Sequence, residues 1–249
     1  MGLQIEVLIL VLIIFLFGGI VKGVLGFGLP LITMSFLPMV VPLELALVAS
    51  ALVQPFTNIG QIIQSGRIKI AIKNTWPLVV SLGPGGLAGS WFLGVLDADA
   101  LIFLIGVMVT LFAIYSLTGF VFIISEKIRT EAGLVIGFLA GVVGALTTLN
   151  GNFFILYLLG IETNRTDFRS AIAILFIVSA LFISAGFYSV GFLNSERLWL
   201  SGFCLLPSFF GMWIGNRVGV HLPTDTFRKI VLAMLLVIGV SFIFRGAGF

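Results

Sequence analysis

Lys22 is the one charge set well inside an apolar run that extends from Ile5 to Val41. It lies within the glycine-rich stretch Gly18–Pro30, GGIVKGVLGFGLP. A cation at membrane depth is costly unless protein or a water-filled cavity surrounds it, and such residues mark ion and substrate paths. Gly26 and Gly28 flank the point where the chain can turn, because glycine tolerates backbone conformations that other residues avoid. Pro30 follows, and proline suits the first turn of a helix. Further on, Thr148-Leu149-Asn150-Gly151-Asn152 precedes the short apolar run Phe153–Leu159, and Asn is a good N-cap. Both places would put a helix start inside an apolar region. Its unpaired N–H groups and the positive end of its dipole together favour an anion.

A third group is Gln54-Pro55-Phe56-Thr57-Asn58, with Gln61 beyond. Gln54, Asn58 and Gln61 are four and three residues apart, so one helical face carries all three amides. Pro55 removes a backbone donor and is expected to kink that helix. The chemistry these groups support is coordination of a small oxyanion. Backbone N–H groups around Gly26–Gly28 and Gly151–Asn152 would donate to it, Lys22 would supply charge, and Gln54, Asn58 and Asn150 would orient it. Thr148 counts among the same substrate-binding residues. Each feature also has a plainer reading. Glycines serve close helix packing, Lys22 can snorkel to an interface, and amide stripes can join helices.

Other chemistry is not supported. Glu44, Asp97, Asp99, Asp167 and Asp225 fall near segment ends, and His221 reads as a solvated loop residue, so a mid-membrane proton relay has no obvious member. Cys204 is the only cysteine, which excludes a disulfide within the chain. No metal-ligand cluster, nucleophile–base pair or Gly-x4-Gly-Lys-Ser/Thr sequence is present. No enzymatic activity, cofactor or metal is expected.

The elements that must position these residues follow from composition. The 249 residues are 60% hydrophobic and 9% charged, with a mean hydropathy of +1.26. That describes an all-α polytopic membrane protein. The net charge of +3 resides in short loops, where it signals topology rather than nucleic-acid binding. The partners expected are the lipid bilayer and a small anion, with the oligomeric state open and a homodimer among the options. No cationic leader precedes Val7–Phe17, which is expected to stay in the mature protein.

The run Ile5–Val41 is too long for one crossing of about 20 residues and must break. Further apolar segments fall at about Leu45–Ile63, Trp76–Leu96, Leu101–Ile124, Leu134–Leu149, Phe153–Leu159, Ala171–Phe192, Leu198–Ile214 and Phe227–Phe244. The chain also repeats itself. Gly19-x3-Gly23-x2-Gly26 recurs as Gly137-x3-Gly141-x2-Gly144, and Trp76…Pro84 recurs as Trp199…Pro207. Asp97 and Asp99, then Asp225, open the last helix of each half. The expected division is residues 1–124, a cytoplasmic linker 125–131, and residues 132–249.

Charge sets the orientation. With Arg67, Lys69, Lys73, Lys127, Arg129, Arg217, Arg228 and Lys229 on the cytoplasmic side, both Ile5–Val41 and Leu134–Leu159 must enter and return as hairpins. Each half becomes a broken-helix hairpin plus three crossings, and the second half is inverted relative to the first. The N-terminus is then outside. Ten Lys/Arg lie inside, two (Arg197, Arg245) outside, and Lys22 in the hairpin. Inverted repeats with broken helices are the architecture of secondary transporters, with substrate bound near the midplane. Two helix starts facing each other there would form the anion site. A passive anion channel is the alternative, distinguished by flux that does not saturate.

GGIVKGVLGFGLPLITMSFLP and GFLAGVVGALTTLNGNFFILYLLG resemble the paired signatures of the sulfite exporter TauE/SafE family. The resemblance covers roughly the whole chain. It implies a bacterial inner-membrane transporter of small anions, with sulfite and organosulfonates as substrates and export as the direction. Gly26-Phe27-Gly28-Leu29-Pro30 is less glycine-rich than many relatives in the first hairpin, and the second hairpin has no proline.

Overall fold

The computed structural model describes residues 4–65, 67–219 and 224–248; His221 lies outside the described residues. Among these residues the regular elements are all helical: α1 (Ile5–Leu25), α2 (Leu29–Phe36), α3 (Leu43–Ser65), α4 (Ile68–Leu93) and α5 (Ala98–Thr118), then α6 (Arg129–Thr147), α7 (Gly151–Gly160), α8 (Arg165–Ser189), α9 (Ser195–Val218) and α10 (Thr224–Gly246). Short 3-10 turns occupy Leu37–Met39 and Glu126–Ile128. Several helix starts follow the sequence directly. The side chains of Asp97, Asn164 and Asn194 each accept from a backbone N–H three residues on, at 2.8, 3.0 and 2.8 Å, which satisfies donors that a helix leaves unpaired.

Seven of these helices are long and apolar enough to cross a membrane: Ile5–Leu25, Leu43–Ile63, Ala98–Thr118, Glu126–Thr147, Asp167–Ser189, Ser195–Val218 and Asp225–Gly246. Large apolar side chains such as Leu87, Trp91, Leu181, Trp199, Leu206 and Val237 are exposed, a surface suited to lipid and not to water. This is a multi-pass membrane protein.

One feature agrees with the sequence-based expectation and one differs from it. The hairpins are unequal. With 21 residues α1 is about 31 Å long at 1.5 Å per residue, a full bilayer core, whereas the eight residues of α2 rise only about 12 Å. Likewise α6 has 19 residues and α7 only 10. Each hairpin is therefore one long limb and one short return. The difference is α4, expected as a crossing. Its 26 residues suffice in length, but it is not among the seven apolar spans. Pro77, Pro84, Gly85, Gly86 and Gly89 lower its hydropathy because they form its packing face.

The chain divides into two compact units, each drawn from both halves of the sequence. One comprises residues 1–53, 96–119 and 192–249, and the other residues 54–95 and 120–191. Helix α3 is shared, its residues up to Val53 in the first unit and those from Gln54 in the second.

In the first unit α1 packs on α9. A methyl group added at Gly19 would strike Ser208 O, and one at Gly23 would meet Met212 O at 2.5 Å and Asn216 N at 2.8 Å. From the other side Gly211 abuts Leu16 O and Gly215 abuts Ile20 O. Glycine is required here because backbone lies directly against backbone. Helices α5 and α10 complete the unit in the same way: a methyl group added at Gly106 would lie 2.7 Å from Ile243 N and 2.8 Å from Gly239 O.

In the second unit α6 packs on α4. Gly137 abuts Leu78 and Gly85 abuts Phe138 O, and a methyl group added at Gly141 would lie 2.6 Å from Leu82 O, one at Gly89 2.5 Å from Val142 O. The two seams are the same pairing in repeat terms. The glycine-rich limb of each hairpin rests on the Trp…Pro helix of the opposite half. Helix α8 lies against α4, tied at its start by Arg67 Nη1 to Asp167 Oδ1 at 3.1 Å.

Candidate functional site

The first hairpin turns on glycine. Gly26 has φ +85° and Gly28 φ +106°, values in the left-handed region that glycine adopts without steric cost. The N–H of Gly26 donates to Lys22 O at 2.7 Å and closes α1, so it is engaged within the turn. No side chain caps α2, and Pro30 stands in its first turn. Helix geometry leaves the N–H groups of Leu29 and Leu31 without an intrahelical acceptor, and Pro30 has none. These groups lie one to three residues beyond the glycines. Lys22 is 3% exposed, so its side chain is enclosed by protein. Phe27 meets Phe112 of α5 edge to face at 6.5 Å, six residues before that helix ends. Arg228 Nη2 donates to Ser116 O at 2.6 Å beside this tip, and Phe27, Gly28, Phe112 and Arg228 line one small, mainly apolar cavity.

The second hairpin solves the same turn differently. Thr148 takes the left-handed conformation, φ +60°, with its N–H on Gly144 O at 2.8 Å. A β-branched residue there is strained, and such strain concentrates at functional sites. Thr147 Oγ1 donates to Val143 O at 2.7 Å and accepts from Leu149 N at 3.2 Å. Asn150 sits at the N-cap of α7 but does not cap it. Its backbone is helical, φ −65° and ψ −19°, and it makes no side-chain cap bond. Capping needs the extended conformation, which corrects the expectation drawn from residue type alone. Both ends of its amide, Nδ2 and Oδ1, are buried with no hydrogen-bond partner among the described residues, and the residue is 0% exposed. Gly144 makes the room, since a methyl group there would lie 2.9 Å from Nδ2. Gly151 is required too, because a methyl group would meet Phe176 Cζ of α8 at 2.6 Å. Phe176 is mid-helix, so this tip is level with the centre of α8. Thr148 is buried and Asn152 half-buried.

The amide stripe of α3 lies in the same unit from Gln54 onward. Asn58 Nδ2 and Thr57 Oγ1 both donate to Gln54 O, at 2.8 and 3.0 Å. Gln61 Nε2 donates to Arg169 O at 3.0 Å, so this amide joins helices. Gln54 is 1% exposed, and neither Nε2 nor Oε1 has a partner among the described residues. Helix α3 continues through Pro55. Leaving a buried donor or acceptor unsatisfied costs on the order of 1–3 kcal/mol, so two amides unmet at both ends ask for a partner from outside the chain.

Sequence reading missed two features. Thr33 Oγ1 and Ser50 Oγ pair at 2.6 Å, fully buried, just after Pro30; their only signal was polarity within an apolar run. The left-handed Thr148 had no signal at all, because nothing in a threonine announces positive φ.

Broken helices carrying unmet polar groups inside a bundle of apolar spans define a class, that of multi-pass membrane transporters. Within it the chain belongs to the sulfite exporter TauE/SafE family, whose match spans residues 10–242. No characterised protein and no solved structure matches the chain.

Proposed function

We propose that the protein exports a small sulfur oxyanion, sulfite or an organosulfonate, across a bacterial cytoplasmic membrane by alternating exposure of a site near the midplane. In the second unit the anion is held by the helix-start N–H groups of Gly151 and Asn152 and oriented by Gln54 and Asn150; in the first unit Lys22 supplies charge to the transport path. The observation that carries this reading is the pair of buried amides, Gln54 and Asn150, unmet at both ends in a chain of a sulfite exporter family. The matched seams α1–α9 and α4–α6 support the duplicated architecture, and the distribution of Lys and Arg supports an inverted second repeat with the N-terminus outside. The test is flux from proteoliposomes loaded with sulfite, sulfate, sulfoacetate or lactate, with and without a pH gradient. Saturable efflux of sulfite with counterflow is expected. Flux that rises without limit and shows no counterflow would assign a passive channel instead.

A further inference from the structure

A pure oxyanion cannot satisfy the two buried amides. An amide presents an NH2 donor and a carbonyl acceptor, and in Gln54 and Asn150 both ends are unmet. Exchanging the nitrogen and oxygen positions of either side chain changes nothing in this count. Elsewhere, Thr110, Tyr115 and Thr163 leave single hydroxyls unmet, and a hydroxyl can rotate toward whatever is near. The oxygens of a sulfonate or sulfite would take hydrogen bonds from Nε2 and Nδ2. They would leave Oε1 and Oδ1 buried and facing acceptors only.

The charge count points the same way. In this unit the charged residues all lie within the first two turns of a helix or between helices. Arg67 is bound by Asp167 at 3.1 Å and Arg129 by Glu126 at 2.9 Å. The start of α7 and the amides of Gln54 and Asn150 are neutral donors. The cost of removing an ion from water rises with the square of its charge, so neutral donors suit a monoanion far better than a dianion.

We infer that the substrate is a monoanion bringing its own hydrogen-bond donor, either hydrogen sulfite or a short alkanesulfonate with a hydroxyl group, and that the carbonyls of Gln54 and Asn150 receive that donor. This rests on the reading of those two residues as substrate groups. Two compounds isolate the donor. Isethionate (2-hydroxyethanesulfonate) and propane-1-sulfonate are permanently ionised, similar in size, and differ by a hydroxyl in place of a methyl. A site built to bond a hydroxyl rejects the analogue that lacks it, here by at least about tenfold.

Competition against labelled sulfite efflux is measured in proteoliposomes at one fixed pH. Thermal stabilisation of the detergent-solubilised protein by the same compounds is measured alongside. Isethionate is expected to act at concentrations at least about tenfold below propane-1-sulfonate, with sulfate weakest. Gln54→Leu and Asn150→Leu should each shrink the gap. Equal potency of the two sulfonates would overturn the inference while leaving the transporter reading intact, and would mean that water fills the amides. Absence of flux together with absence of stabilisation by any of these anions would overturn both. Stabilisation without flux still decides the ratio, since it requires no transport.

Discussion

The two hairpins perform one task with different residues. Each ends a long glycine-rich limb with a left-handed residue, then starts a short helix inside the protein. The first does so at Gly26 and Gly28 with Pro30 behind them, and its tip offers backbone alone. The second does so at Thr148 and follows it with Asn150, whose amide is buried and unmet. Glycine and proline meet the backbone demands of a turn without strain. Threonine and an uncapping asparagine meet them poorly. Residues that locally disfavour a structure persist where something else needs them. The first hairpin thus reads as a shaped support and the second as the more specific of the two.

The largest effect would test the part the hairpins share. Gly23→Leu and Gly141→Leu each thrust a side chain into backbone, at Met212 O and Leu82 O respectively. Overpacking costs typically 1–3 kcal/mol and more where backbone must move, so both variants should lose the monodisperse peak in detergent gel filtration. If one were well folded and the other not, the two seams would no longer be equivalent.

Next in size is the charge. Lys22→Ala should abolish substrate-specific flux while the protein remains folded in detergent, because a buried cation is costly and removing it relieves that cost. Unchanged flux would take Lys22 out of the site and leave the first hairpin purely structural.

The third separates the hairpins directly. Asn150→Leu removes a polar side chain that has no partner in the chain, so the melting temperature should hold or rise, while flux falls by roughly 100-fold. Gly28→Ala should do the reverse. A side chain at φ +106° is disfavoured by about 1–2 kcal/mol, so stability should fall, and flux per folded molecule should change little. Should Asn150→Leu melt lower with normal flux, the amide is a structural group and the contrast between hairpins disappears.

Much of this was legible before any coordinates. Glycine spacing announced both seams, because only glycine lets backbones touch, and Gly26–Gly28 announced the first turn. The broken runs at Ile5–Val41 and at Leu134–Leu159 were visible as apolar stretches of the wrong length. The short return at Phe153–Leu159 was legible too, as a run too short to cross; the residues at which each helix ends were not, since hydropathy marks only where a run is apolar. The uncapped Asn150 was not legible either. Residue type gives the propensity to cap, while backbone conformation decides whether the side chain can reach, and at Asn150 that conformation is helical. Compact units drawn from both halves were hidden for a related reason. A sequence repeat reports descent along the chain, whereas seams form between helices far apart in it.

The smallest effect bears on strain. Thr148→Gly would remove the left-handed penalty of a β-branched residue, worth roughly 1–3 kcal/mol. It would also loosen the unfolded chain, which returns about 0.5–1 kcal/mol. The net expectation is a gain in stability between about 0 and 2.5 kcal/mol, read as a rise in melting temperature. Flux decides what that strain does. Thr148 lies two residues before Asn150, and Thr147 anchors the turn to Val143 O, so a relaxed turn lets the amide wander from its orientation. A more stable protein with reduced flux would tie the strain to placement of Asn150. A more stable protein with full flux would make Thr148 a tolerated accident, and the second hairpin would owe its specificity to Asn150 alone.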